Sequence, residues 1–129
     1  MDGLNRVFLV GTLGADAELR ETNGGPVLSF RVATTESWFD QNSQQRKEAT
    51  EWHRCFMFGK HMPKLAQYMS KGTRVHCEGS LRTRSWDKDG QKQFVTEVRV
   101  SKVILLGSGD RRDNRQQQLP GSDDDDFPI

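Results

Sequence analysis

Between Thr50 and Lys60 the chain reads TEWHRCFMFGK, and the two-residue period of this stretch restricts the fold more than any other feature. In an extended strand Trp52, Arg54, Phe56 and Phe58 point to one side and His53, Cys55 and Met57 to the other. The side with Cys55 and Met57 suits a core. The other joins rings to a guanidinium and is too aromatic and too charged for an ordinary interior. A sheet is required in which this strand has one buried face and one face with a different task.

Other segments alternate in the same way. Leu4 to Leu13 turns around Val7, Leu9 and Leu13 and predicts a first strand. Asn23-Gly24-Gly25-Pro26 predicts a turn before a second strand, Val27 to Thr35, with Leu28, Phe30 and Val32 on one face and Ser29, Arg31 and Ala33 on the other. Trp38 to Ala49 is polar and predicts a long hairpin loop carrying Arg46 and Lys47. After the third strand, Pro63 fits a first helical turn, Leu65, Ala66 and Met69 recur at helical spacing, and Gly72 supplies a stop. These signals predict a helix of about three turns. Thr73 to Trp86 predicts a fourth strand with Val75, Cys77 and Leu81 inward and Arg82, Arg84 and Trp86 opposite. Asp87-Lys88-Asp89-Gly90 turns the chain into a last strand, Phe94 to Leu106, apolar at Val98, Val100 and Ile104. Three strands, one helix and two strands define an all-β class with one short helix, and the order matches the five-stranded Greek-key barrel of the OB-fold.

The 129 residues suffice for one such domain and a tail. Hydrophobic content of 33%, charged content of 29% and a mean hydropathy of -0.79 place part of the length outside any core. Sequence periodicity stops at Leu106, so residues 1-106 form the expected domain. Residues 107-122 are an expected flexible linker, and residues 123-129 a disordered acidic tip. No apolar run reaches membrane-span length and the first residues lack a signal-peptide pattern, so the expected location is the cytoplasm, without a membrane partner. Cys55 and Cys77, each among apolar strand residues, are expected as buried free thiols. Met1 to Leu106 holds 16 Lys and Arg against 12 Asp and Glu, a balance of +4, whereas Asp123 to Asp126 contribute −4. A basic body with an acidic end points to a polyanion-binding domain tied to a segment that competes with polyanions.

Each of the three tryptophans falls near basic residues: Trp38 beside the segment with Arg46 and Lys47, Trp52 beside Arg54, and Trp86 beside Arg82 and Arg84. A single Trp is most simply a core residue. Three in basic settings suit a partner with stackable bases and a phosphate backbone, each stacked base contributing about 1–3 kcal/mol without reading sequence. Histidines 53, 61 and 76 and the two cysteines show no zinc-ligand spacing, and no P-loop, nucleophile elbow or metalloprotease helix is present. Glu51 shares a face with His53 but no nucleophile accompanies them, so His53 reads as a packed or interface residue. No enzyme, metal or cofactor is expected. The ending SDDDDFPI joins four carboxylates to an apolar tip, which reads as a docking peptide rather than a plain solubilising tail.

Five blocks, in order, carry a resemblance: NRVFLVGTLGAD at Asn5–Asp16, ATTESW at Ala33–Trp38, KEATEWHR at Lys47–Arg54, FGK at Phe58–Lys60 and EGSLRTRSW at Glu78–Trp86. In these the chain resembles the bacterial single-stranded DNA-binding proteins. The resemblance implies an OB-fold subunit that assembles as a homotetramer and wraps single-stranded DNA, protecting it during replication, recombination and repair. By position, Trp38, Trp52, Phe58 and Trp86 would stack on bases, Arg54, Lys60, Arg82 and Arg84 would face phosphates, and His53 would lie at a subunit interface. The acidic tip, Asp123, Asp124, Asp125, Asp126, Phe127, Pro128 and Ile129, would recruit replication, recombination and repair enzymes. Family tips usually end Pro-Phe, whereas here Phe127 precedes Pro128 and Ile129 is last, and the segment joining tip to domain is shorter than in many relatives. A primosome-type or RNA-binding OB-fold adaptor is the alternative from the same fold.

Overall fold

The alternating stretches form strands in the computed structural model of the chain, which describes residues 2–108. In order these are β1 (Val7–Leu13), β2 (Glu18–Thr22), β3 (Gly25–Asp40) and β4 (Gln45–Phe58), then the helix α1 (Met62–Ala66), then β5 (Arg74–Lys88) and β6 (Gln91–Gly107). They make one sheet in the order β1-β5-β6-β4-β3-β2, and β1 also pairs with β3 at Thr12↔Ala33 and Leu13↔Val32. Neighbours are antiparallel except β4 and β6, which run parallel at Cys55↔Val98 and Phe56↔Arg99.

The strands other than β2 contribute one face to a single core. Leu9 and Leu13, Leu28, Phe30 and Val32, Cys55 and Met57, Val75 and Cys77, and Val98, Val100 and Val103 are buried together, joined by Met62, Leu65 and Met69 from the helical segment. Full burial of one such aliphatic side chain contributes about 1.5–3 kcal/mol, so this set orients the sheet. Where β5 and β6 cross, a Cβ on Gly79 would overlap the carbonyl of Arg99, and only glycine permits the approach.

The structure departs from the sequence expectations at five places. The polar stretch Trp38–Ala49 is not a loop. β3 and β4 stay paired as far as Asp40↔Gln45, and only Gln41–Gln44 turn. The Asp40 carboxylate accepts hydrogen bonds from the Ser43 amide and hydroxyl at 3.1 and 2.7 Å, which closes the turn. Because most of this hairpin end is exposed on both faces, its strands leave no hydrophobic alternation to read.

β2 is a sixth strand with no buried residue and hence no apolar period. The helix spans five residues rather than three turns. Tyr68 and Met69 continue it through amide bonds to Leu65 and Ala66, three residues back, and this tighter winding still buries Met69.

Leu81 is half exposed rather than inward, because the cover that β1 gives β5 ends at Val7↔Gly79. Ile104 is also exposed, and Val103 takes the core position. Between Glu78↔Lys102 and Gly79↔Val100 the residue Ser101 has no partner, and this bulge reverses the parity of β6. The Ser101 hydroxyl donates to the carbonyl of Glu78 at 3.1 Å. The two-residue turn Asp89-Gly90 has φ of 54° and 81°, as the right-handed twist of β5 and β6 requires.

Residues 109–129, which hold nearly all of the expected linker and the whole Asp123–Ile129 tip, lie outside the described residues. No described helix is long and apolar enough to cross a membrane.

Candidate nucleic-acid interface

The face of β4 opposite the core is the centre of the site. Trp52, Arg54, Phe56 and Phe58 stand across from Ala33, Arg31, Ser29 and Val27 of β3. On the other flank Arg99 of β6 is in register with Phe56. Beyond it β5 follows, with Ser80 across from Arg99, Arg82 from Glu97, Arg84 from Val95 and Trp86 from Gln93. Cross-strand partners share a face, so this register makes one surface from Arg31 to Trp86. Trp52, Phe58 and Trp86 are 53%, 50% and 41% exposed, which removes the core reading for these two tryptophans.

The rings are held in defined positions. A Cβ on Gly14 would overlap the Trp52 indole, so this glycine leaves the space in which the ring lies. Phe56 is half-buried and packs on Phe58, with ring centroids 6.4 Å apart and an angle of 20° between planes. The Arg99 guanidinium covers Phe58 at 4.6 Å from the ring centroid. The guanidinium of Arg84 stands 5.2 Å from the Trp86 ring, and its Nε donates a 2.9 Å hydrogen bond to the Glu97 carboxylate. That bond, with the Glu97 charge behind it, raises the pKa of Arg84, a guanidinium that is in any case permanently charged.

Two open grooves flank the β4 face. One, of about 500 Å³, is lined by Trp52, Arg54, Arg31, Arg20, Arg84 and Glu97 among others. The other, of about 440 Å³, lies at the Phe58 end beside Arg99, Arg6, His61, Met57 and Met62. Flat apolar rings next to fixed guanidinium groups can stack planar groups and neutralise a polyanion at the same time. Among the described residues no group of three or more His, Cys, Asp or Glu side chains is placed to hold a metal ion.

Of the residues expected from sequence, Trp52, Arg54, Phe58, Arg82, Arg84 and Trp86 share this face. Lys60 is exposed just beyond Phe58. Trp38 is exposed near the tip of the β3–β4 hairpin, five register positions past Ala33↔Trp52, so strand alternation puts it on the opposite face of the ribbon. His53 is also opposite Trp52, part-buried, with Nε2 2.9 Å from the Thr34 hydroxyl.

The sequence reading missed Arg31, Arg99, Arg20 and Glu97. Arg31 was visible as the alternate neighbour of Ser29 and Ala33. Arg99 reaches the site through the parallel β4–β6 pairing, which no local pattern announces.

Comparison with known proteins matches residues 4–106 to the single-strand binding protein family. Among solved structures, SSB of Plasmodium falciparum in complex with ssDNA superposes with a TM-score of 0.72 at 34% identity, covering 82% of this chain and 97% of that one. A deletion mutant of the single-stranded DNA binding protein from Thermus aquaticus gives a TM-score of 0.69 at 35% identity and covers 81% of this chain. The present chain spans about half of that protein, 51% of its length.

Proposed function

The chain belongs to the single-strand binding protein family, and from that premise we propose that it binds single-stranded DNA without reading its sequence. The carrying observation is the single sheet face on which Trp52, Arg54 and Phe58 of β4 run beside Arg82, Arg84 and Trp86 of β5. Bases stack on Trp52, Phe58 and Trp86 while Arg54, Lys60, Arg82 and Arg84 meet phosphates, with Arg31 and Arg99 added to that set. Trp38 engages the strand only where it passes round the edge of the β3–β4 hairpin. The similarity to a structure solved with ssDNA supports this reading. The proposal includes closure of the sheet into the Greek-key barrel of an OB-fold, which the pairing of β1 with β3, the strand next to the far edge, supports.

In this proposal residues 1-106 are the binding domain, residues 107-122 a linker, and Asp123–Ile129 a tip that recruits replication, recombination and repair proteins in the cytoplasm. Four subunits assemble. His53 contributes to that contact, and the exposed apolar face of Phe8, Val10, Ile104 and Leu106 supplies further area for it.

Titration with oligo(dT) at two salt concentrations tests the binding. Tryptophan fluorescence should be quenched and affinity should fall as salt rises, because phosphate neutralisation releases counterions. Absence of quenching at low salt would refute the proposal. Equal or tighter binding to poly(U) would move it to the RNA-binding alternative, and a monomer mass would remove the tetramer.

A further inference from the structure

Glu97 is an acidic residue among the arginines and rings of this face, and the groove it lines also holds Asp16 and Glu18. It stands across from Arg82 in the β5–β6 register and lines the larger groove with Arg20, Arg31, Arg54 and Arg84. Its Oε1 accepts the 2.9 Å bond from Arg84 Nε, and its side chain is 17% exposed against 62% for Arg84. An anionic oxygen therefore already engages a guanidinium of the groove, in the way a phosphate oxygen would. The same guanidinium stands beside the Trp86 ring.

We propose that Glu97 is a built-in phosphate surrogate that sets the affinity of this face. In the free protein its carboxylate holds Arg84 beside Trp86, and a bound strand takes Arg84 from it. Arg84 is largely exposed, so solvent screens the pair and exchange to a phosphate is easy. The carboxylate freed in this way takes up a salt cation in place of Arg84, which offsets one of the counterions released from the phosphates. Glu97 thus removes about one cation from the count available to phosphates, and it keeps Arg84 from wandering when no strand is present.

This inference rests on the proposal that the chain binds single-stranded DNA, and the test separates the two. Glu97→Gln keeps the shape and the hydrogen-bond acceptor and removes only the charge. For single strands log K falls with log salt by about 0.7 per phosphate contact, so the salt slope of the variant should steepen by about 0.7. Taking the two proteins as equal near 1 M NaCl, the same slope makes the variant about fivefold tighter at 0.1 M and about eightfold tighter at 0.05 M. In an Arg84→Gln background the Glu97 substitution should change neither slope nor affinity.

An unchanged or shallower slope for Glu97→Gln would overturn the proposal. So would an equal gain in the Arg84→Gln background, which would mean that Glu97 acts through general repulsion and not through Arg84. Glu97→Thr, neutral and favoured in strands, gives the same slope reading should the glutamine variant fold poorly. Loss of binding in the unmodified protein would instead refute the single-strand reading itself.

Discussion

Gly14→Ala is a one-methyl test of how the site is held. The added carbon would overlap the six-membered ring of Trp52. The Gly14 amide bond to the carbonyl of Arg31, at 3.3 Å, survives the change. Trp52 is 53% exposed, so the ring can swing into solvent without opening the core. The stability cost should therefore sit at the low end of the overpacking range, about 1 kcal/mol. The binding cost is larger, since a displaced ring forfeits a stacking contribution of about 1–3 kcal/mol. That corresponds to a loss of about fivefold to 150-fold in affinity. Fluorescence anisotropy of a labelled oligo(dT), with a melting curve beside it, reads both quantities independently of tryptophan emission. A double-mutant cycle completes the test, because Gly14→Ala should add nothing in a Trp52→Ala background. Wild-type affinity in the single variant, or a full additive loss in the double variant, would refute the claim that Gly14 positions Trp52.

Two further outcomes follow from titrating groups. Burial, and then the neighbouring Cys77 and Glu97, raise the Cys55 thiol far above its ordinary value, while burial pushes Cys77 up to about 12. Neither should react with a thiol reagent at pH 8 until the domain unfolds, and rapid labelling of the native protein would contradict the burial of both. The Glu78 carboxyl is held below its ordinary 4.5, first by a hydrogen bond with His76, against a smaller opposing effect of burial, and then by the charges of Lys102, His76 and Arg6. A depressed folded value gives stability that is present above 4.5 and lost as the pH falls through the folded value. The gap in melting temperature between the native protein and Glu78→Gln should narrow from pH 7 to pH 3, and a constant gap would show that Glu78 does not contribute in this way.

The legible parts of the fold are those where one face of a strand meets the core. Leu28, Phe30 and Val32, and Cys55 and Met57, were readable because burial on one side imposes a period of two. That information is absent where the β3–β4 and β5–β6 ribbons pass beyond the core, since both faces of a free ribbon are wet. For this reason the sequence of Trp38–Ala49 has the pattern of a loop although the chain there is a hairpin. At Ser101 the failure had another cause: one unpaired residue shifts parity, and the pattern Val98, Val100, Val103 looks irregular until the bulge is seen. The site divides along the same line. Arg82, Arg84 and Trp86 share a strand, and parity alone unites them, whereas their meeting with Trp52 and Phe58 depends on the parallel β4–β6 register.

The composition of the larger groove decides which force dominates there. Arg20, Arg31, Arg54 and Arg84 face Asp16, Glu18 and Glu97, four cations against three anions and a net of +1. A surface built for maximal electrostatic attraction would omit those acids. With them in place the counterion-release contribution of this groove is small, and in the proposed mode of binding the exposed rings carry much of the affinity. Stacking is nearly independent of salt and tolerant of sequence. Because the rings sit on paired strands beneath which the core is packed, they reach the partner already ordered, and less entropy is lost on binding. A face arranged in this way holds a strand over a wide range of ionic strength, while each exposed pair such as Arg84–Glu97 leaves a low-cost route for the strand to move or be released.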